Sequence, residues 1–297
     1  MFKSAAVSDV AWKRFLPSDL ESILSTCPNC SLLLASASSK KELYFSLCEN
    51  PVLVDDGRKS FSLEEKTGKK CYMLSARTLS ITWADTPQYW AWNSNPTSRF
   101  PEVAELLWVC WLEIRGKINT SMLSPATLYT TYLVFKLPID YHHGLDDQPV
   151  LVSMKMDGEE SCARTVSWNV EGRLGRQSRN ARRRRRPTRR SYGHYPKERG
   201  DGWLEIELGD VFTKEGKDGE LEIRVFDGSG HWKNGLIVEG IEIRPKQGNQ
   251  MSNCFHILVK EELPQAVKDA QDGLLLKLRV YHKWPIQWYK FPTMTLM

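Results

Sequence analysis

The sequence predicts a mainly β protein, an antiparallel β-sandwich preceded by a short helical segment. Three observations carry this. From Cys71 onward, apolar and polar residues alternate in runs of strand length. Gly, Pro and Asp punctuate those runs, and no long helical pattern intervenes. Before Cys71 the periodicity is helical instead.

In chain order, Ser8 and Asp9 can cap a short helix running to Phe15. After Pro17, Ser18 with Glu21 three residues on has the form of a capping box and restarts the helix. "SSKKELYFSLCEN" gives a further helix, with Leu43, Leu47 and Cys48 at helical spacing. Residues 1–50 therefore form a helical region. The polar, Gly- and Lys-rich residues 51–70 read as a linker. In "LLWVCWLEIRGKI", Leu106, Trp108, Cys110, Leu112 and Ile114 share one strand face. "PEVAELLW" before it suits a short helix. "TLYTTYLVFKL" is β-branched and aromatic, as strands prefer. "WLEIELGDVF" sets Leu204, Ile206 and Leu208 opposite Trp203, Glu205 and Glu207, and "LEIRVF" and "GLIVEGIEIRP" alternate likewise. Residues 171–199 hold almost no large apolar side chain and read as a disordered Arg-rich loop within the sandwich 71–247. Residues 248–297 form a tail of mixed character.

The net charge of +5 is local, because ten arginines and no acid lie within residues 173–190. That run fits a nuclear import signal, a nucleic-acid arm or a solvated loop. Nucleic acid is not the expected partner, since the rest of the chain is acidic on balance. No apolar stretch reaches 18 residues, and the first residues lack the apolar core of a secretory signal, so cytoplasm and nucleus are expected. Seven scattered cysteines do not suggest a disulfide framework, and Cys27 and Cys30 in "CPNC" are expected as plain buried or loop thiols. No nucleophile elbow, phosphate loop or metal-ligand cluster is present, so neither enzyme, cofactor nor metal is expected. The adjacent His142 and His143 read as a solvated loop pair, and Glu205 and Glu207 as solvated charges on an exposed edge.

The blocks "KKCYMLSARTLSITWADTPQYWAW", "SRFPEVAELLWVCWLEIRGKI", "YPKERGDGWLEIELGD" and "GHWKNGLIVEGIEIRPK" closely resemble the phloem protein 2 family, the Nictaba-like plant lectins. The likeness runs from about Cys71 to Lys246, outside the arginine loop. "FKSAAVSDVAWKRFLPSDLESIL" is similar to the end of the F-box that precedes the lectin domain in one subgroup. The resemblance implies a jelly-roll-like sandwich that binds glycans or glycoproteins, including N-acetylglucosamine-containing ones, in cytosol and nucleus. For the F-box subgroup it implies presentation of glycosylated targets to a ubiquitin ligase through a Skp-type adaptor. The chain enters the F-box motif part-way, so adaptor binding is expected to be weak or lost. The tail beyond Gln247 resembles nothing in the family.

The sugar site implied by the resemblance consists of Trp83 and Trp90, in the "ITW…YW" context, with Glu239. A pyranose packs its C–H face on an aromatic ring, and carboxylates and amides take its hydroxyls. Trp83 and Trp90 lie seven residues apart across an Asp-Thr-Pro-Gln turn that could bring both indoles to one pocket, open to solvent. Read from the residues alone, a core strand fits them equally well. Tyr89 and Trp92 are supporting wall. Trp108, Trp111 and Trp168 are assigned to packing, while Trp203 and Trp232 suit packing or surface. The alternatives to a lectin are a non-catalytic protein-interaction module without sugar binding, or nucleic-acid binding by the Arg loop.

Overall fold

The computed structural model describes residues 9–27, 30, 34, 37–138, 141–145, 149–169, 194–216 and 218–246. The expected Arg-rich loop falls mostly, and the tail wholly, outside the described residues. Among the described residues, the helices that precede the strands include α1 (Asp9–Trp12), α2 (Leu20–Ser25) and α3 (Lys40–Glu49). The Ser39 hydroxyl caps α3 by accepting from the Glu42 N–H. The capping box expected at Ser18 is not formed, because α2 starts one residue later at an Asp19 N-cap that makes no side-chain cap bond.

Fourteen strands follow among the described residues, arranged as two antiparallel sheets, which makes the expected sandwich. The larger sheet runs β1 (Val52–Val54), β2 (Lys59–Leu63), β3 (Lys70–Ser75), β14 (Ile237–Pro245), β8 (Thr127–Lys136), β12 (Leu204–Thr213) and β11 (Lys197–Glu198), with β5 (Trp90–Asn93) and β6 (Val103–Leu106) joined at β14. The smaller runs β10 (Glu159–Ser167), β9 (Pro149–Met156), β13 (Glu220–Asp227), β7 (Leu112–Asn119) and β4 (Ser80–Ile81).

Several expectations are corrected here. Residues 51–70 are not a linker. Asp55, Asp56 and Gly57 all take positive φ and close a β1–β2 hairpin that pairs onto β3. "PEVAELLW" is not a helix, because Val103–Leu106 pairs with both β5 and β14. Leu106 and Leu112 do not share a continuous strand. The chain leaves the sheet between them, and residues 107–111 form a loop. Cys27 and Cys30 are joined as a disulfide, whereas Cys48, Cys71, Cys110 and Cys162 are free thiols.

The helices pack on the β2–β3 hairpin and share the sandwich's core cluster through Leu20, Leu24, Leu43, Tyr44 and Leu47. The Tyr44 hydroxyl donates to the Glu65 carbonyl (2.8 Å), and Lys70, nearly buried, pairs with Asp19 (2.9 Å). The two sheets meet closely at Gly116 on β7. A Cβ there would lie 3.0 Å from Ile241 Cδ1, 3.2 Å from Leu79 and 3.3 Å from Leu74. All three neighbours are core side chains with little room to move. Gly116→Val is therefore expected to destabilise the fold by about 1–3 kcal/mol, read as a lowered urea midpoint at unchanged slope.

Candidate functional site

One end of the sandwich carries four exposed tryptophans. They are Trp83 (39% exposed), Trp108 (41%), Trp111 (55%) and Trp232 (47%). The expected pair Trp83 and Trp90 splits. Trp90 is 2% exposed and belongs to the core, so it is not an open ring as expected. Its strand explains this. β5 pairs with β6 on the large sheet, and its alternate residues Trp90 and Trp92 turn to the same side.

Those two buried or half-buried indoles hold the turn that carries Trp83. Trp90 Nε1 donates to the Thr82 carbonyl (3.1 Å), and Trp92 Nε1 donates to the Ala84 carbonyl (3.2 Å). The carbonyls on both sides of Trp83 are thus fixed. The Arg77 guanidinium lies 3.8 Å over the Trp92 ring. Trp83 itself has φ of +61°, a conformation that a bulky side chain adopts at a cost of about 1–3 kcal/mol. Thr86 N–H bonds back to the Trp83 carbonyl (3.0 Å) and closes the turn. The Trp83 ring stacks on Trp111 at 6.4 Å and 12°, and tilts against Tyr89 at 5.4 Å.

Trp108 and Trp111, expected as core residues, face outward from the 107–111 loop. Apolar residues at both odd and even positions from 106 to 112 were the available sign that this run is not a half-buried strand. The loop is pinned from within by Lys233. Its side chain is fully buried, its ammonium donates to the Cys110 and His231 carbonyls (both 2.8 Å), and it forms an ion pair with Asp227 Oδ1 (3.3 Å). Main-chain bonds between Val109 and Lys233 run both ways, at 2.7 and 3.0 Å. Trp232 and Trp108 then stack outside at 5.8 Å and 13°, and His143 is also near-parallel to Trp108 at 6.2 Å and 11°. His143 is therefore exposed but not merely solvated, as its main chain also pairs with Asn234. Of the other tryptophans, Trp168 and Trp203 are buried.

Glu239 does not join this surface. It is buried, and Oε1 accepts from Ser98 Oγ (3.1 Å) and the Arg99 N–H (2.8 Å). Burial pushes its carboxyl above the ordinary range, with Arg99 working against that. Its role in the structure is to tie down the loop before β6. The turn itself carries an exposed Asp85, and beside it lies Glu113, whose main-chain carbonyl accepts from the Thr82 N–H (3.1 Å). Burial would raise the Glu113 carboxyl, but the Arg224 and Arg115 guanidiniums outweigh it and hold it below the usual range.

Nor are Glu205 and Glu207 solvated charges on an open edge. β12 lies between β8 and β11. Glu205 pairs with Arg244 (2.6 Å) and Arg199 (3.2 Å), and Glu207 with Arg164 (3.0 Å). Glu242 on β14 accepts from Arg99, Arg199 and Arg244 at 2.7–3.0 Å. Burial would raise Glu242, yet the three guanidiniums prevail and hold it down to about 2. Two cavities, of about 490 and 250 Å³, border this outer face of the large sheet. The second is lined by Glu205 and Glu207, whose oxygens these arginines already engage.

Two outcomes follow from these networks. Because Glu242 titrates lower in the folded chain than its ordinary 4.5, its stabilisation is complete above that value and drains as pH falls towards about 2. Urea midpoints measured from pH 5 to pH 2 should fall less steeply for Glu242→Gln than for the parent chain. Lys233→Met leaves Asp227 buried without its cation. It should cost about 3–5 kcal/mol, read by urea unfolding, and shift the tryptophan emission.

A model of the phloem protein 2 family matches residues 69–245. Relatives from Arabidopsis thaliana include F-box protein At2g02240, 47% identical over 82% of this chain and 71% of that one. Putative F-box protein PP2-B2 is 46% identical over 82% of this chain and 73% of its own, and F-box protein PP2-B10 is 44% identical over 82% and 83%. Among solved structures, the Podospora anserina GH26-CBM35 β-(1,4)-mannanase aligns with 60% of this chain and 28% of its own at 9% identity and a TM-score of 0.31, a likeness too low to bear on function. With the matched region covering β3 to β14, the chain belongs to the phloem protein 2 family, in its F-box subgroup.

Proposed function

We propose that this protein is a lectin of the cytosol and nucleus that recognises N-acetylglucosamine-containing or related glycans on proteins. The observation that carries the reading is Trp83, an open indole on a strained turn whose flanking carbonyls are both anchored. An exposed aromatic face kept there despite its conformational cost suits the C–H face of a sugar ring. Trp111 widens that face. Trp90 contributes by positioning Trp83 rather than by touching sugar, and Glu239 by shaping a neighbouring loop. The relatives' F-box names support a second role, presentation of the bound glycoprotein to a ubiquitin ligase through a Skp-type adaptor.

Trp83→Gly separates binding from folding. It removes the ring and relaxes the positive φ, so glycan-array signal should vanish while the melting temperature stays within about 4 °C of the parent. Trp90→Ala should instead lower stability by about 3–5 kcal/mol, because it empties a core position and frees the Thr82 carbonyl. Loss of fold in Trp83→Gly, or unchanged glycan binding by it, would overturn the site.

A further inference from the structure

We propose that Cys27 and Cys30 form a reversible thiol–disulfide centre, in which Cys27 meets glutathione or a small thiol of the same class and Cys30 closes the bond again. The two are joined as a disulfide, with Cα atoms 5.3 Å apart. Cys48, Cys71, Cys110 and Cys162 are free thiols. A purely structural role accounts poorly for the bond. The two cysteines lie three positions apart, and so short a loop removes less freedom from the unfolded chain than a long-range bridge would. The helices on either side are already held by the core through Leu20, Leu24, Leu43 and Leu47.

The surroundings of the two residues differ in the way that exchange requires. Cys27 is half-buried, whereas Cys30 is 1% exposed and belongs to the core cluster. An incoming thiolate therefore reaches the Cys27 side of the bond first. Its sulfur bonds to Cys27 Sγ, and the S–S bond breaks with its electron pair going to Cys30 Sγ, which takes up a proton. A second glutathione thiolate then attacks the glutathione sulfur of the mixed disulfide. Glutathione disulfide leaves, and Cys27 Sγ takes up a proton. Two glutathiones thus give two electrons to the protein, and oxidation by glutathione disulfide is the reverse. The main chain keeps the pair together when the bond is open. The Cys27 N–H donates to the Leu24 carbonyl (3.1 Å), and the Cys30 N–H donates to the Cys27 carbonyl (3.3 Å). Neither contact involves sulfur, so the reduced thiols stay adjacent and reclosure is intramolecular. Burial pushes the Cys48 thiol up to about 11 and the Cys71 thiol up to about 12, so both stay protonated and do not compete as nucleophiles.

The test holds the full chain in glutathione buffers running from fully reduced to fully oxidised, blocks free thiols with an alkylating reagent and maps the label by mass spectrometry. Cys27 and Cys30 should gain and lose label together, in one step between those extremes. A second arm separates their roles. Under glutathione disulfide, Cys30→Ser should collect a glutathione adduct on Cys27 about tenfold or more faster than Cys27→Ser collects one on Cys30. Cys30→Ala stands in if the melting temperature shows that Cys30→Ser has lost its fold. A bond that stays closed in every buffer while the chain remains folded is structural, and overturns the proposal. A pair that stays reduced in fully oxidised glutathione overturns it too, as do equal adduct rates in the two variants.

Discussion

The exposed end of the sandwich depends on satisfying main-chain carbonyls that have no strand partner. Where the chain leaves a sheet its carbonyls must find donors, and a buried one left alone is destabilising. Here the donors are side chains. Trp90 and Trp92 serve the Thr82 and Ala84 carbonyls, and Lys233 serves those of Cys110 and His231. Each donor sits inside the fold, and each acceptor belongs to a loop that points an indole outward. Removing any one donor would slacken a loop whose surface ring it never touches.

This arrangement divides the tryptophans by what their N–H groups do. Those bonded to carbonyls belong to the scaffold. Those without a partner among the described residues lie mostly on the outer surface, with the buried Trp168 as the exception. The acidic residues divide on similar lines. Glu239, Glu242 and Glu205 are engaged with arginines or loop amides, and they hold the outer face of the large sheet together. At the aromatic end, Asp227 is paired with Lys233 below the rings and Glu113 is turned to arginines, while Asp85 on the Trp83 turn is exposed. The recognition surface proposed here is therefore mainly aromatic, with Asp85 as an exposed carboxylate on the same turn as Trp83.

Much of the β-architecture was legible. The alternation in Leu204–Thr213 and Ile237–Pro245 reads directly as strands, and both pair as such. The Asp-Asp-Gly turn at 55–57 is a hairpin signal that charge and glycine content disguised as a linker. The helix expected at "PEVAELLW" failed because pairing with Ile237 and Val238 overrides local preference, and nothing local announces that partner. The exposure of Trp83 on its turn was legible. Trp90 was legible as important but not as buried, because two residues that cooperate across a turn look the same in sequence whether both touch ligand or one supports the other. Trp108 and Trp111 were hidden because their loop is imposed by Lys233, more than 120 residues away in the chain.

The β1–β2 hairpin bears on where the sandwich begins. The family match starts at residue 69, yet β3 starts at Lys70 and spends one whole side bonded to β2. Cutting the chain at the match would strip that side bare and leave six residues of unpaired amides and carbonyls flanked by Tyr72, Met73 and Leu74. Such a rim is an invitation for another chain to add itself by strand pairing. The natural sheet instead terminates in the three-residue β1, too short to template growth, with helices packed alongside its neighbour. The N-terminal region thus covers a strand edge that the matched region alone would leave open.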